Sequence, residues 1–229
     1  MRIERFEIGA IPAILYGEPG KKGYLFLHGQ MGRKEEAEAF ARVACPKGFQ
    51  VLAIDLPGHG QRQERGEEFT PWTAVPDIRA AWDWAALRWK AISLRANSIG
   101  AYFAMLALDV PCRALLVSPI LDMEGLILAM MGKAGVTESR LREEGEIETG
   151  SGPTLSWEYL CWVRQHPSHV WGCPVRILYG SKDDMTPWDT VQEYAHGQGA
   201  KVTLAEGAGH WFHTPEELAL LKKWEETEL

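Results

Sequence analysis

From Tyr24 onward the sequence repeats one pattern: a short apolar run, a turn, then a stretch of helical character. "YLFLHG" precedes Lys34 to Val43, "VLAIDLPGHG" follows, and "AISLRANS" leads into "IGAYFAMLALD". "ALLVSPILD" comes next, and "VRILYGSKDD" stands before "TVQEYAHG". Runs that are apolar at nearly every position suit strands buried on both faces, and such strands belong to parallel sheets covered by helices on both sides. The pattern therefore predicts an α/β chain. The opening "RIERFEIG" and "IPAILYG" predict a short antiparallel hairpin or meander on the sheet edge. At 229 residues with 46% hydrophobic content, the chain can bury a full core as one domain, 1–229.

The alternation stops between Asp122 and Trp171. Here stand "GLILAMMGKAGV", the acidic "REEGEIE", the loop "TGSGPT" and the tryptophan-rich "LSWEYLCWVRQHP". Together they read as a small helical lid inserted at about 123–172. At the end, Thr214, Pro215 and Glu217 supply an N-cap, a proline at the first helical position and a glutamate three after the cap. A capped final helix over "LALLKKWEE" follows from that spacing.

Composition removes several classes of function. A formal net charge of −7 argues against nucleic acid or an anionic membrane surface as partner, since both need a concentrated basic face. No segment approaches the roughly 18 apolar residues of a spanning helix, and the N-terminus lacks the pattern of a signal peptide. A cytoplasmic protein is expected. Cys45, Cys112, Cys161 and Cys173 form no CxxC pair and no His-Cys cluster, so neither a metal nor a disulfide framework is expected.

Chemistry is suggested first by "RANSIGAYFA". Ser98 follows a β-type run and precedes a helix former, which places its hydroxyl on a sharp strand-to-helix turn at the carboxyl end of the sheet. A helix N-terminus there would stabilise developing negative charge. The other reading of Ser98 is a helix cap. A nucleophilic serine needs a base and a group to orient it. "LYGSKDDMTP" offers Asp183, with Asp184 its competitor, and "EGAGHWFHTPEE" offers His210, with His213 as the competing base. Each follows an apolar run, and the order is Ser, Asp, His. An oxyanion needs donors, and after the tight turn at His28-Gly29 the amide of Gln30 can face the serine beside the amide of Ile99.

In order and approximate spacing, "FLHGQMG", "IDLPGHGQR", "ANSIGAYFA", "LYGSKDDMTP" and "GAGHWF" resemble the α/β-hydrolase superfamily over about residues 20 to 225. The chain is similar to a small bacterial-type serine hydrolase, esterase- or thioesterase-like, with a short helical lid. The resemblance implies an α/β-hydrolase fold: a mostly parallel eight-stranded sheet with helices on both faces. It implies Ser98 as nucleophile, His210 as base, Asp183 as orienting acid, the amides of Gln30 and Ile99 as the oxyanion hole, and no cofactor or metal. Ala96 stands where the family usually has the first glycine of the nucleophile motif. "PGHG", with His59, resembles a family turn that is mainly structural, which leaves His59 outside the expected site.

A serine at the turn disfavours the aspartate-nucleophile branches and leaves acyl chemistry. The expected substrate is a small-molecule ester or thioester of a small to medium acyl group. A carbon-carbon bond hydrolase or amidase with the same triad, and a catalytically silent binding module, are the alternatives. Candidate pocket residues are His28, Leu126, Met130, Trp157, Trp162 and Trp211. The other reading of the lid aromatics is plain core where the insert meets the body.

Overall fold

The computed structural model describes residues 1–150, 152–168 and 170–229. An antiparallel hairpin, β1 (Ile3–Ile8) and β2 (Ile11–Tyr16), opens the chain. β3 (Lys22–Leu27), α1 (Ala37–Ala44) and β4 (Gln50–Ile54) follow. After these come α2 (Pro71–Ala86), β5 (Ala91–Asn97), α3 (Ser98–Ala107) and β6 (Ala114–Val117). The strands assemble with β9 (Val175–Gly180) and β10 (Lys201–Ala205) into an eight-stranded sheet of order β1-β2-β4-β3-β5-β6-β9-β10. The hairpin is antiparallel to its neighbours and every pairing from β4 to β10 is parallel.

Side chains alternate between two cores with the period of two that strands impose. Leu25, Leu27, Leu94, Ala96, Leu116 and Ile177 face one cluster, shared with α2 and α3. Tyr24, Phe26, Leu115, Val117 and Leu178 face the other, shared with α1 and the final helix α8, Pro215–Glu228, which follows α7, Trp188–Gln198. Helices therefore cover both faces, as the unbroken apolar runs require. No described helix is long and apolar enough to cross a membrane.

One local expectation is corrected, and one helix stands where none was expected. The helix expected from Lys34 begins as a 3-10 turn, Lys34–Glu36, because the Lys34 ammonium and amide are both bound to the buried Asp55 carboxylate. α2 was not foreseen, since Pro76 lies in its interior and removes one backbone bond. Tertiary burial of Ala74, Ile78 and Ala81 outweighs that loss.

Between β6 and β9 lie α4 (Met123–Ala134), α5 (Glu138–Glu144), a two-residue ribbon β7 (Glu146–Ile147) with β8 (Leu155–Ser156), and α6 (Trp157–Gln165). Asp122, Thr137 and Ser156 accept hydrogen bonds from the first turns of α4, α5 and α6, an N-cap for each. Ile127, Met131, Leu141, Leu160 and Val163 are buried in the same cluster as α2 and α3.

Candidate active site

Three strand ends meet at one place. β5 ends at Asn97 and α3 begins at Ser98, whose φ of 49° is left-handed, the strained turn that lifts a hydroxyl off the sheet. Close backbone approach here has a price in residue choice. A Cβ at Gly100 would stand 2.4 Å from the His28 carbonyl oxygen, and one at Gly29 would stand 3.1 Å from Ser98 Cβ. Ala96, by contrast, is fully buried between Leu27 and Leu116 on neighbouring strands, where a methyl fits. The glycine-to-alanine departure therefore leaves the turn intact.

Past β9, the turn from Ser181 to Thr186 carries Asp183. Past β10, the loop that ends at α8 carries His210. The two are tied by Lys182 N–H to Ala208 O (2.8 Å), Ser181 N–H to Ala205 O (3.0 Å) and Gly207 N–H to Ser181 Oγ (2.8 Å). A Cβ at Gly180 would meet the Gly209 and Ala208 carbonyls at 2.4 and 2.5 Å, so only glycine lets these loops touch. The result is a continuous chain of polar atoms. Ser98 Oγ lies 2.7 Å from His210 Nε2, and His210 Nδ1 lies 2.8 Å from Asp183 Oδ2. The Asp183 side chain is fully enclosed, and its other oxygen accepts from the amides of Met185 and Thr186. Asp184 is exposed. His213 is exposed too, with Nδ1 2.9 Å from the Trp211 carbonyl oxygen, and stands apart from Ser98. An acceptor on one side of the ring fixes hydrogen on Nδ1 and leaves Nε2 free to take a proton from the serine.

A cavity of about 350 Å³ opens on Ser98 and His210, lined also by Gln30, Met31, Asn97, Ser118, Trp211, Phe212 and Leu221. Phe212, Leu221 and Val117 belong to the α1/α8 core, so the cavity sits on that side of the sheet. Trp211 and Gln30 line it as candidate pocket and oxyanion residues. Ile99 follows Ser98 in the first turn of α3, where amides have no helical acceptor.

The remaining candidate pocket residues are elsewhere. His28 is fully buried: Nε2 accepts the Leu56 amide at 3.0 Å and Nδ1 donates to the Gly29 carbonyl at 2.8 Å. Burial pushes its pKa down to about 4, which keeps the ring neutral and able to accept. It pins the 28–29 turn to the end of β4 and does not line the cavity. Leu126, Met130, Trp157 and Trp162 pack against the α2/α3 core, on the other face. Trp162 and Tyr159 lie 6.2 and 5.9 Å from the Trp72 ring of α2, and Trp162 stacks on His166 at 4.0 Å. Met130 borders a separate cavity of about 360 Å³ inside the insert. Of the two readings that the apolar insert allowed, pocket wall or plain core, this packing against the body favours the second. His59 packs on Phe69 at 4.2 Å and bonds its own turn at Pro57.

The partners of Arg95 lay beyond the sequence reading. Arg95, buried on β5, donates to Asn97 Oδ1 and, at 2.9 Å, to Glu225 of α8, tying the residue before Ser98 to the last helix. Periodicity hides them, because an arginine in an apolar strand has no partner until the chain folds. Glu217 completes the capping box that its spacing predicted, accepting the amides of Thr214 and His213, which holds its pKa down at about 2 and fixes the exit from the His210 loop.

The model of a family described as "Alpha/beta hydrolase family" matches residues 24–220. No curated protein sequence matches the chain. Among solved structures, Est1E from Butyrivibrio proteoclasticus, with ferulic acid bound, is similar at TM-score 0.75 and 18% identity, covering 98% of this chain and 97% of that one. Alpha/beta hydrolase domain-containing protein 10 from mouse gives TM-score 0.78 at 17% identity, with 100% and 98% covered. A thioesterase domain from the curacin biosynthetic pathway gives 0.60 at 18%, with 98% and 99% covered. At such identities these likenesses concern the fold.

Proposed function

The chain belongs to the alpha/beta hydrolase family, a family of hydrolases, and from that premise we propose that it is a serine hydrolase acting on a carboxylic ester or thioester of a small to medium acyl group. The observation that carries this reading is the unbroken Ser98–His210–Asp183 hydrogen-bond chain opening on a cavity. We read 1–229 as one domain with 123–172 as its insertion, because insert and body share a hydrophobic cluster.

The chemistry runs through side chains of this chain. His210 Nε2 takes the proton of Ser98 Oγ as the oxygen attacks the acyl carbon. Negative charge moves to the former carbonyl oxygen, where the amides of Gln30 and Ile99 and the positive end of α3 stabilise it. As the tetrahedral intermediate collapses, His210 returns the proton to the leaving alcohol or thiol, and the acyl group remains on Ser98. Water then adds by the same steps in reverse, releasing the carboxylic acid and restoring the serine. Asp183 keeps the imidazole oriented and stabilises its charged form. The mechanism requires no metal or cofactor.

Labelling with a fluorophosphonate tests the reading, since only an activated serine reacts appreciably. Wild-type protein is expected to label and to hydrolyse a short p-nitrophenyl ester. Ser98→Ala is expected to lose labelling and at least about 10³-fold of turnover while unfolding cooperatively. Full activity in the alanine variant would remove Ser98 from the chemistry, and with Asn97 at the N-cap of α3 no capping role would remain for it.

A further inference from the structure

Among the described residues, three non-glycine positions have left-handed backbone, Met31 (φ 61°), Ser98 (φ 49°) and Ser118 (φ 43°), and all three line the cavity at Ser98. Strained backbone gathered in one cavity marks a place whose side chains are wanted in spite of the strain. For Ser98 the reaction explains it. Met31 needs its own account. It is the third residue of a turn closed by Gly32 N–H to Gly29 O (3.2 Å), a position with φ above zero that turn chemistry normally gives to Gly or Asn. A long side chain stands there instead, and it is 74% exposed. Nothing in the core uses it, because Met31 belongs to neither hydrophobic cluster.

Trp211 poses the same puzzle across the cavity. It follows His210 directly, is 57% exposed, and also packs into neither cluster. Phe212 and Leu221, half-buried beside it, extend an apolar wall down to the α1/α8 core. Two large apolar side chains thus stand in water at the mouth of the cavity that holds Ser98 Oγ. Both have surface to bury only when something enters. A flexible thioether and a flat indole suit an apolar group of varied outline.

We infer that Met31 and Trp211 are specificity-determining residues that grip an apolar group of the substrate on the α1/α8 side of Ser98, away from the insert. The inference rests on the proposed role of Ser98 and adds to it where selectivity is set. The group gripped is the acyl chain or the alcohol of the ester, and two substrate series tell them apart. The first varies the acyl chain of p-nitrophenyl esters from acetate to octanoate. The second varies the alcohol of acetate esters from methyl to butyl to benzyl.

Purified full-length wild type, Met31→Gly and Trp211→Ala are compared for kcat/KM across both series and for Tm. In one series, each variant is expected to reduce the preference for the largest over the smallest member by about 10-fold. Met31→Gly is further expected to raise Tm by about 1 to 4 °C, because glycine takes the left-handed turn without strain. Loss of selectivity with a gain in stability separates substrate contact from a structural role, which would lower Tm and reduce all esters alike. Profiles of unchanged shape in both series, from an active wild type, would overturn the inference. A wild type that neither labels with fluorophosphonate nor turns over any ester would remove the reading of Ser98 beneath it, a distinct failure.

Discussion

The two sides of the sheet's carboxyl edge are rich in the same kinds of residue and use them differently. On the α2/α3 side, Trp157, Tyr159 and Trp162 of α6 are partly buried against the core, with Tyr159 and Trp162 near Trp72. On the α1/α8 side, Met31 and Trp211 stand exposed around the cavity that opens on Ser98. Aromatic richness is therefore no guide to a pocket. What separates the two sides is whether the apolar surface has already found a partner within the chain and, at Met31, a backbone strained to keep it out.

The sharpest way to break the comparison is through the acid, on which the proposed placement of the chemistry on the cavity side depends. Asp183→Asn is expected to lower kcat about 10² to 10⁴-fold, because an amide that donates toward His210 favours the wrong tautomer. Asp184→Asn, at an exposed position without a part in the hydrogen-bond chain, is expected to change it less than about 3-fold. Steady-state kinetics of the two variants decides the matter, and a reversed ranking would move the role to Asp184.

Next in size is Trp162→Ala, which asks whether the insert touches substrate. If α6 only docks, the variant loses about 1 to 3 kcal/mol of stability through vacated contacts with Trp72 and His166. Its kcat/KM values then change by one common factor across ester sizes. A changed chain-length profile would return the acyl pocket to the insert and weaken the claim for Met31 and Trp211.

Smallest per unit of change is the pH dependence contributed by His28. Its folded pKa of about 4 lies below the ordinary histidine value, so between the two the unfolded chain binds more protons. Stability should thus be fully retained above the ordinary value and fall as pH drops toward 4, by at most about 1.4 kcal/mol per pH unit from this group. Denaturant unfolding of wild type and His28→Gln between pH 7 and 4 measures it. An equal slope in both would mean that the 28–29 turn is not held by a neutral imidazole.

Much of this was legible in the chain itself. Unbroken apolar runs predicted a parallel sheet because a strand buried on both faces has no polar side to show. The members Ser98, Asp183 and His210 could be picked out because each follows a strand, and strand ends of a parallel sheet fall on one edge whatever the loops between them do. Between Asp183 and Asp184 the sequence left a competition, and the fold sets the Asp183 carboxylate 2.8 Å from His210. Gly29 could be read as part of a tight turn, whereas the places of Gly100 and Gly180, where backbones pass too close for a Cβ, came only with the fold.

Tertiary structure alone decided which side of Ser98 lies open. The sequence put apolar residues in the insert, and that fact is common to a binding wall and a packing face, since both need surface removed from water. Only the fold sets Trp162 beside Trp72 and leaves Trp211 without a neighbour cluster. His28 illustrates the same limit. A histidine before a glycine turn has one spelling whether it faces a substrate or accepts the amide of Leu56, a residue 28 positions away. Local sequence determines what a strand or turn can be, because its forces act over a few residues. Partners across the core, and the surface left over when they have met, depend on the whole chain packing at once.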